Sequence, residues 1–133
     1  MSADHAAHPN GDLTLRTLAM PSDANAAGDI FGGWVMAQMD LACGIRAAEY
    51  SGGRVVTAAV NEMVFEKPMY VGDTLCVYTA IEKVGRTSMT LKVEAWAQRY
   101  LKKLRELVIV GRFVMVALDD DGKPAPVVKV SEA

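Results

Sequence analysis

Histidine is nearly absent from this chain. Its only two, His5 and His8, lie in the first eight of 133 residues. The body therefore cannot build a Ser-His or Cys-His nucleophile pair, nor a zinc site resting on imidazole. A general base would have to be a carboxylate, or less readily Lys, Tyr or Cys. Cysteine is almost as scarce. Cys43 and Cys76 stand alone in sequence and read as reduced, buried thiols rather than a disulfide framework. There is no block of basic residues and the net charge is −2, which gives no electrostatic footprint for nucleic acid. The first residues carry neither a basic start nor an apolar run, so a cytoplasmic chain is expected. Ile30 to Ala48 has the length of a membrane span, but it holds Gln38, Asp40 and several glycines and lacks flanking cationic anchors, so no membrane partner is expected.

What the chain does have is one long apolar stretch, Ile30 to Tyr50, in which only Asp40 and Arg46 are charged as far as Ala48. It reads as a helix buried on nearly all sides. Asp29 is placed to cap its start, and Ser51-Gly52-Gly53 to stop it. A carboxylate in such a helix is either paired or kept for chemistry. Arg46 is six residues from Asp40, a poor spacing for an intrahelical pair.

Around the helix the pattern is extended. Leu13 to Met20 is a strand closed by Pro21, and Ser22 to Asp29 is a loop of turn formers. Four strand-like runs follow: Val55 to Phe65, Asp73 to Val84, Thr87 to Tyr100 and Leu104 to Leu118. In the third, Met89, Leu91, Val93 and Ala95 alternate with Thr90, Lys92 and Glu94, as in a strand with one wet face. Gly111 marks a bulge or a close approach in the last. Residues 1–10 and 121–133, the latter with Pro124 and Pro126, read as loose tails around one domain at 11–120. The fold class is α+β, a long central helix wrapped by a five-stranded antiparallel sheet. The uncovered part of the helix calls for a two-fold dimer.

Three segments carry a family resemblance: NAAGDIFGGWVMAQMD (25–40), FEKPMYVGD (65–73) and VGRTSM (84–89). Together they resemble the hotdog-fold acyl-coenzyme A thioesterases, and most closely the small bacterial YciA-type group. The resemblance implies an acyl-CoA hydrolase that needs no cofactor, with sites at a dimer interface and dimers gathered into hexamers as trimers of dimers. It implies Asp40 as the general base, and Asn25 as the loop residue reaching the same site from the other subunit. Gly32 and Gly33 would be the helix start that binds the thioester oxygen. Arg86, Thr87 and Ser88 would be the hairpin that meets coenzyme A, and Gln38 a lesser contact. Two departures stand out. Asn61 occupies a place where relatives often carry an acid, and the segment after Trp96 is short.

The residues themselves leave alternatives open. Gly32 and Gly33 suit either a carbonyl approaching the backbone or close packing of the helix start. Asn25 also suits a plain turn, and Arg86 a solvated hairpin tip. A non-catalytic domain that only binds acyl-CoA fits the same residues. Gly33 and Asp40 are two helical turns apart, ~10 Å along the axis. That is long for one water and one carbonyl, so the donor and base acting together are expected to come from different chains.

Overall fold

The structure is a computed structural model and describes residues 8–129. In chain order it contains β1 (Asp12–Leu18), a 3-10 turn (Pro21–Asp23), α1 (Gly32–Ser51), β2 (Val55–Phe65), β3 (Thr74–Val84), β4 (Ser88–Gln98) and β5 (Arg105–Ala117). The strands form one antiparallel sheet in the order β1-β3-β4-β5-β2, so β1 and β2 are its edges. The expected architecture, one long helix against five antiparallel strands, is what forms.

Gly52 ends α1 where the glycine signal places the stop. Its φ of 74° is left-handed, which costs glycine little, and its N–H closes on Ala48 O at 2.7 Å. The start differs from expectation. Phe31, not Asp29, is the N-cap residue, and it supplies no side-chain cap. Asp29 is instead held in an antiparallel bridge to Tyr70.

The core lies between α1 and the inner face of the sheet. Val35, Met39, Ala42, Cys43 and Ala47 fall on one face of the helix at spacings of three and four residues. They meet Met89, Leu91, Val93 and Ala95 of β4, all fully buried, with Phe113 and Met115 of β5. The other half of the β4 pattern is drier than expected. Glu94 is buried on the outer face, where it accepts from Trp96 Nε1 at 2.9 Å and from the Asn10 N–H and Nδ2 at 3.0 and 3.1 Å.

The expectation of a helix buried nearly all round does not hold within one chain. A single sheet can cover only one side of a cylinder. The remainder of its surface leaves Phe31, Asp40, Leu41 and Ile45 exposed, the three apolar residues each by about half. The C-terminal expectation also needs correction. Residues 124–127 are not loose: Pro124 bridges Leu118, and the N–H groups of Ala125 and Val127 bond to Ala117 O and Arg86 O. The N-terminal tail divides. Residues 1–7 lie outside the described residues, and Asn10 is tied to Glu94.

Gly111 makes the close approach rather than the bulge. A Cβ there would stand 3.0 Å from Met63 Sδ. The register shift falls opposite it, between Asn61 and Val64 of β2, where Glu62 takes a φ of 53° and its carboxylate accepts from Arg112.

Candidate active site

The first turn of α1 is built without a side-chain cap. The N–H groups of Trp34 and Val35 reach Phe31 O at 3.0 and 3.4 Å, while those of Gly32 and Gly33 have no backbone acceptor among the described residues. Such orphan donors sit at the positive end of the helix dipole. The two glycines divide the alternatives between them. A Cβ on Gly32 would stand 2.9 Å from Phe65 Cε2, so Gly32 serves close packing. A Cβ on Gly33 would meet nothing within 4 Å, so Gly33 leaves backbone open to approach. Asn25, Gly32, Phe65 and Lys67 line one groove of about 420 Å³ beside this turn.

Asn25 does the work of a turn residue. Its Oδ1 accepts from the N–H groups of Ala27 and Asp29 at 2.9 and 3.1 Å, and its own N–H donates to Asp29 O at 2.8 Å. The carbonyl end of the side chain is thereby committed to the loop. The amide NH₂ is the end left to act on anything in the groove.

Asp40 is exposed in the single chain, contrary to its expected burial, and lies on the flank of α1 beside the edge strand β2. It is not paired with Arg46, whose Nη1 bonds Asp12 Oδ2 at 2.8 Å. Its partner is Thr57 on β2, whose hydroxyl donates to Asp40 Oδ1. Thr57 Oγ1 also lies 3.5 Å from Met115 Sδ, so it is held from the sheet side as well. One hydrogen bond thus fixes the carboxylate of the helix against the edge strand. Three residues further along α1, burial pushes the Cys43 thiol up to about 12, and the negative charge of Asp40 adds to the effect. Cys43 therefore stays protonated at neutral pH and is no nucleophile.

Gln38 is anchored through one end of its amide. Its Oε1 accepts from Thr17 Oγ1 at 3.0 Å and ties α1 to edge strand β1. Two residues apart on a helix is a rotation of about 200°, so Gln38 and Asp40 face opposite ways.

Arg86 and Thr87 form the tip of the β3–β4 turn, which Gly85 N–H to Ser88 O closes at 2.8 Å. Arg86 is exposed, and its guanidinium has no partner among the described residues. The register fixes where this turn lies. Thr57 pairs with Met115 and Met115 with Met89, so the row carrying Asp40's partner ends one residue from the turn. Two strand spacings separate Thr57 from Met89, ~10 Å. The candidates therefore fall into two groups. Asp40, Thr57 and the Arg86–Ser88 turn share one end of β2; Asn25, Gly32 and Gly33 share the other, beside Phe65. One chain does not bring them together.

Thr57 went unread in the sequence. A threonine in a β-branched run looks like any strand residue. The available signal was its parity: it falls on the helix-facing side of β2, in a segment otherwise free of hydroxyls.

Known proteins match this chain over most of its length. Residues 27–101 match the thioesterase superfamily. The acyl-CoA thioester hydrolase YciA of Salmonella typhimurium is 47% identical over 121 residues, spanning 89% of this chain and 91% of that protein. A hexameric thioesterase from Yersinia pestis superposes with a TM-score of 0.88 at 47% identity, over 91% of this chain and 99% of that one. A hexameric broad specificity acyl-coenzyme A thioesterase superposes at 0.85 with 48% identity, over 91% and 84%.

Proposed function

We propose, since the chain belongs to the thioesterase superfamily with its hotdog fold, that it is an acyl-CoA thioester hydrolase whose sites form between two copies. Water attacks the thioester carbonyl, and Asp40 takes the proton. The oxyanion rests on the N–H groups of Gly32 and Gly33 from the other copy. The C–S bond then breaks, and the thiolate of coenzyme A recovers a proton. The products are a carboxylic acid and free coenzyme A. The Asn25 amide NH₂ orients the water or the carbonyl, and Arg86, Thr87 and Ser88 hold the coenzyme A part. The reaction draws only on water, side chains and backbone N–H groups.

The observation that carries this reading is a carboxylate fixed by Thr57 on an uncovered apolar face, in a chain whose uncapped helix start lies two turns away. A two-fold axis near the middle of β2 supplies what is missing. Antiparallel pairing of β2 with its mate sets the Phe65 end of one copy, with its helix start, beside the Thr57 end of the other. Val56, Val60 and Val64, nearly half exposed on β2, and Leu41 and Ile45 on α1 would then be covered. Three such dimers would give the hexamer found in the relatives.

The test is thiol release over a panel of short, long and aromatic acyl-CoA esters, run beside Asp40→Asn. We expect turnover by the native chain and a loss in kcat of ~10²-fold or more in the variant, with the fold retained. Binding of acyl-CoA without thiol release would favour the non-catalytic alternative. Near-native turnover by Asp40→Asn would remove Asp40 from the mechanism.

A further inference from the structure

Residues 124–127 read Pro-Ala-Pro-Val. Proline has no N–H, so along this segment only every second residue can donate. Both donors are used, and on the same side. Ala125 N–H reaches Ala117 O, and Val127 N–H reaches Arg86 O, each at 2.8 Å. The alternation suits an edge, where the proline side offers nothing to pair with. Val127 also packs on the core, and the Lys129 ammonium lies 6.0 Å from the centroid of the Tyr50 ring in the last turn of α1. The segment thus runs from the end of β5, over the β3–β4 turn, to the end of the helix.

The turn has two carbonyls that its own hairpin does not satisfy. Thr87 O accepts from Ala117 N–H at 2.9 Å, and Arg86 O accepts from Val127 N–H. A hairpin tip is ordinarily among the least stable parts of a sheet, because few contacts hold it. Here both carbonyls, that of Arg86 itself and that of the residue after it, are gripped from outside, while the arginine's guanidinium stays exposed.

We propose that residues 124–127 are a strap that positions the Arg86–Ser88 turn for the phosphates of coenzyme A. The proposal rests on the thioesterase reading above and adds to it a positioning element outside the reacting groups. Binding orders a mobile cation at a cost in conformational entropy; a strapped turn meets the phosphate already ordered. The effect belongs to the phosphate-bearing part of the substrate and not to the thioester.

Val127→Pro removes the one N–H that reaches Arg86 O, while Val127→Ala keeps it and trims the side chain. KM and kcat are measured for an acyl-CoA and for the same acyl group on N-acetylcysteamine, which has no phosphate. Val127→Pro should raise KM for the acyl-CoA about fivefold or more with kcat unchanged, the effect of one lost hydrogen bond. The short thioester should show no change, and Val127→Ala should behave as native on both. An equal loss on both thioesters would mean general damage to the fold, and no change on either would mean an idle strap; each overturns the proposal. If the native chain cleaves neither ester, the hydrolase reading fails by itself. The strap is then judged by calorimetric affinity for coenzyme A, where equal affinity of native chain and Val127→Pro overturns it.

Discussion

Asp40 was legible because a lone acid in nineteen nearly uncharged residues must be explained. What held it was not. The hydroxyl of Thr57 becomes a partner only once β2 folds back along the exposed side of α1, a contact between residues 17 apart that no local pattern encodes. The same hydrogen bond predicts a specific phenotype. Thr57→Val keeps the shape and deletes the donor, so kcat should fall ~10-fold or more while KM stays put, as for loss of a hydrogen bond to a charged group. Thr57→Ser should restore most of the rate. A KM effect with normal kcat would show that Thr57 serves binding instead. Gln38 teaches the converse. It sits in the most specific motif of the chain, and its Oε1 is taken by Thr17, which leaves only the amide NH₂ for any other contact.

At the scale of elements, strands and stops were readable and caps were not. Alternation in β4 located the inner face, and Gly52 ended the helix where a left-handed residue was needed. Asp29 has the chemistry of a cap, but its backbone pairs with Tyr70, so the chain enters the helix two residues later than the cap signal suggests. The prolines near the C-terminus read as looseness and turned out to select which N–H groups pair. Another element-level device joins the 66–73 loop to the β4–β5 connection. Asp73 accepts from Arg99 Nη1 at 2.7 Å and from the N–H groups of Tyr70 and Tyr100 at 3.0 Å. Arg99 Nε reaches Glu106 at 3.0 Å, and Lys67 Nζ reaches it at 2.7 Å. Hydrogen bonds from Lys67 and then Arg99 hold the Glu106 carboxyl below the usual carboxylate range. A lowered folded-state value means that this stabilisation is complete above that range and is lost as pH falls through it. Thermal midpoints should therefore drop on acidification below about pH 4. Glu106→Gln should lower the midpoint by a few degrees at neutral pH and flatten its acid slope, as followed by circular dichroism. An unchanged slope would show that Glu106 is not the group responsible.

For the molecule as a whole, the sequence indicated that the helix needs more cover than one sheet provides, and the structure locates the bare side. It runs along α1 at Leu41 and Ile45 and is flanked by the edge strand β2, on which Val56, Val60 and Val64 are nearly half exposed. A charge at its centre should keep copies apart. Val60→Asp is expected to shift the protein to a smaller species in sedimentation and to remove activity with it, since each proposed site needs both copies. A variant that sediments as a single chain and still turns over at the native rate would show that one copy suffices. The division of the site residues between the two ends of β2 explains why sequence could name them without arranging them. In the proposed dimer their meeting depends on a second chain, and the spacing along one chain could only show that they were too far apart.

The strand order carries a consequence for how the chain is made. In the finished sheet β2 pairs only with β5, and Val60 finds Phe113 roughly fifty residues downstream. At ribosomal speeds of about 5–20 residues per second, that interval is on the order of 3–10 s. Throughout it, β2 has emerged with no neighbour on either flank. The strand that the proposed dimer would pair is then the part of the nascent protein most open to premature, mistaken pairing, and only late synthesis of β5 ends that exposure.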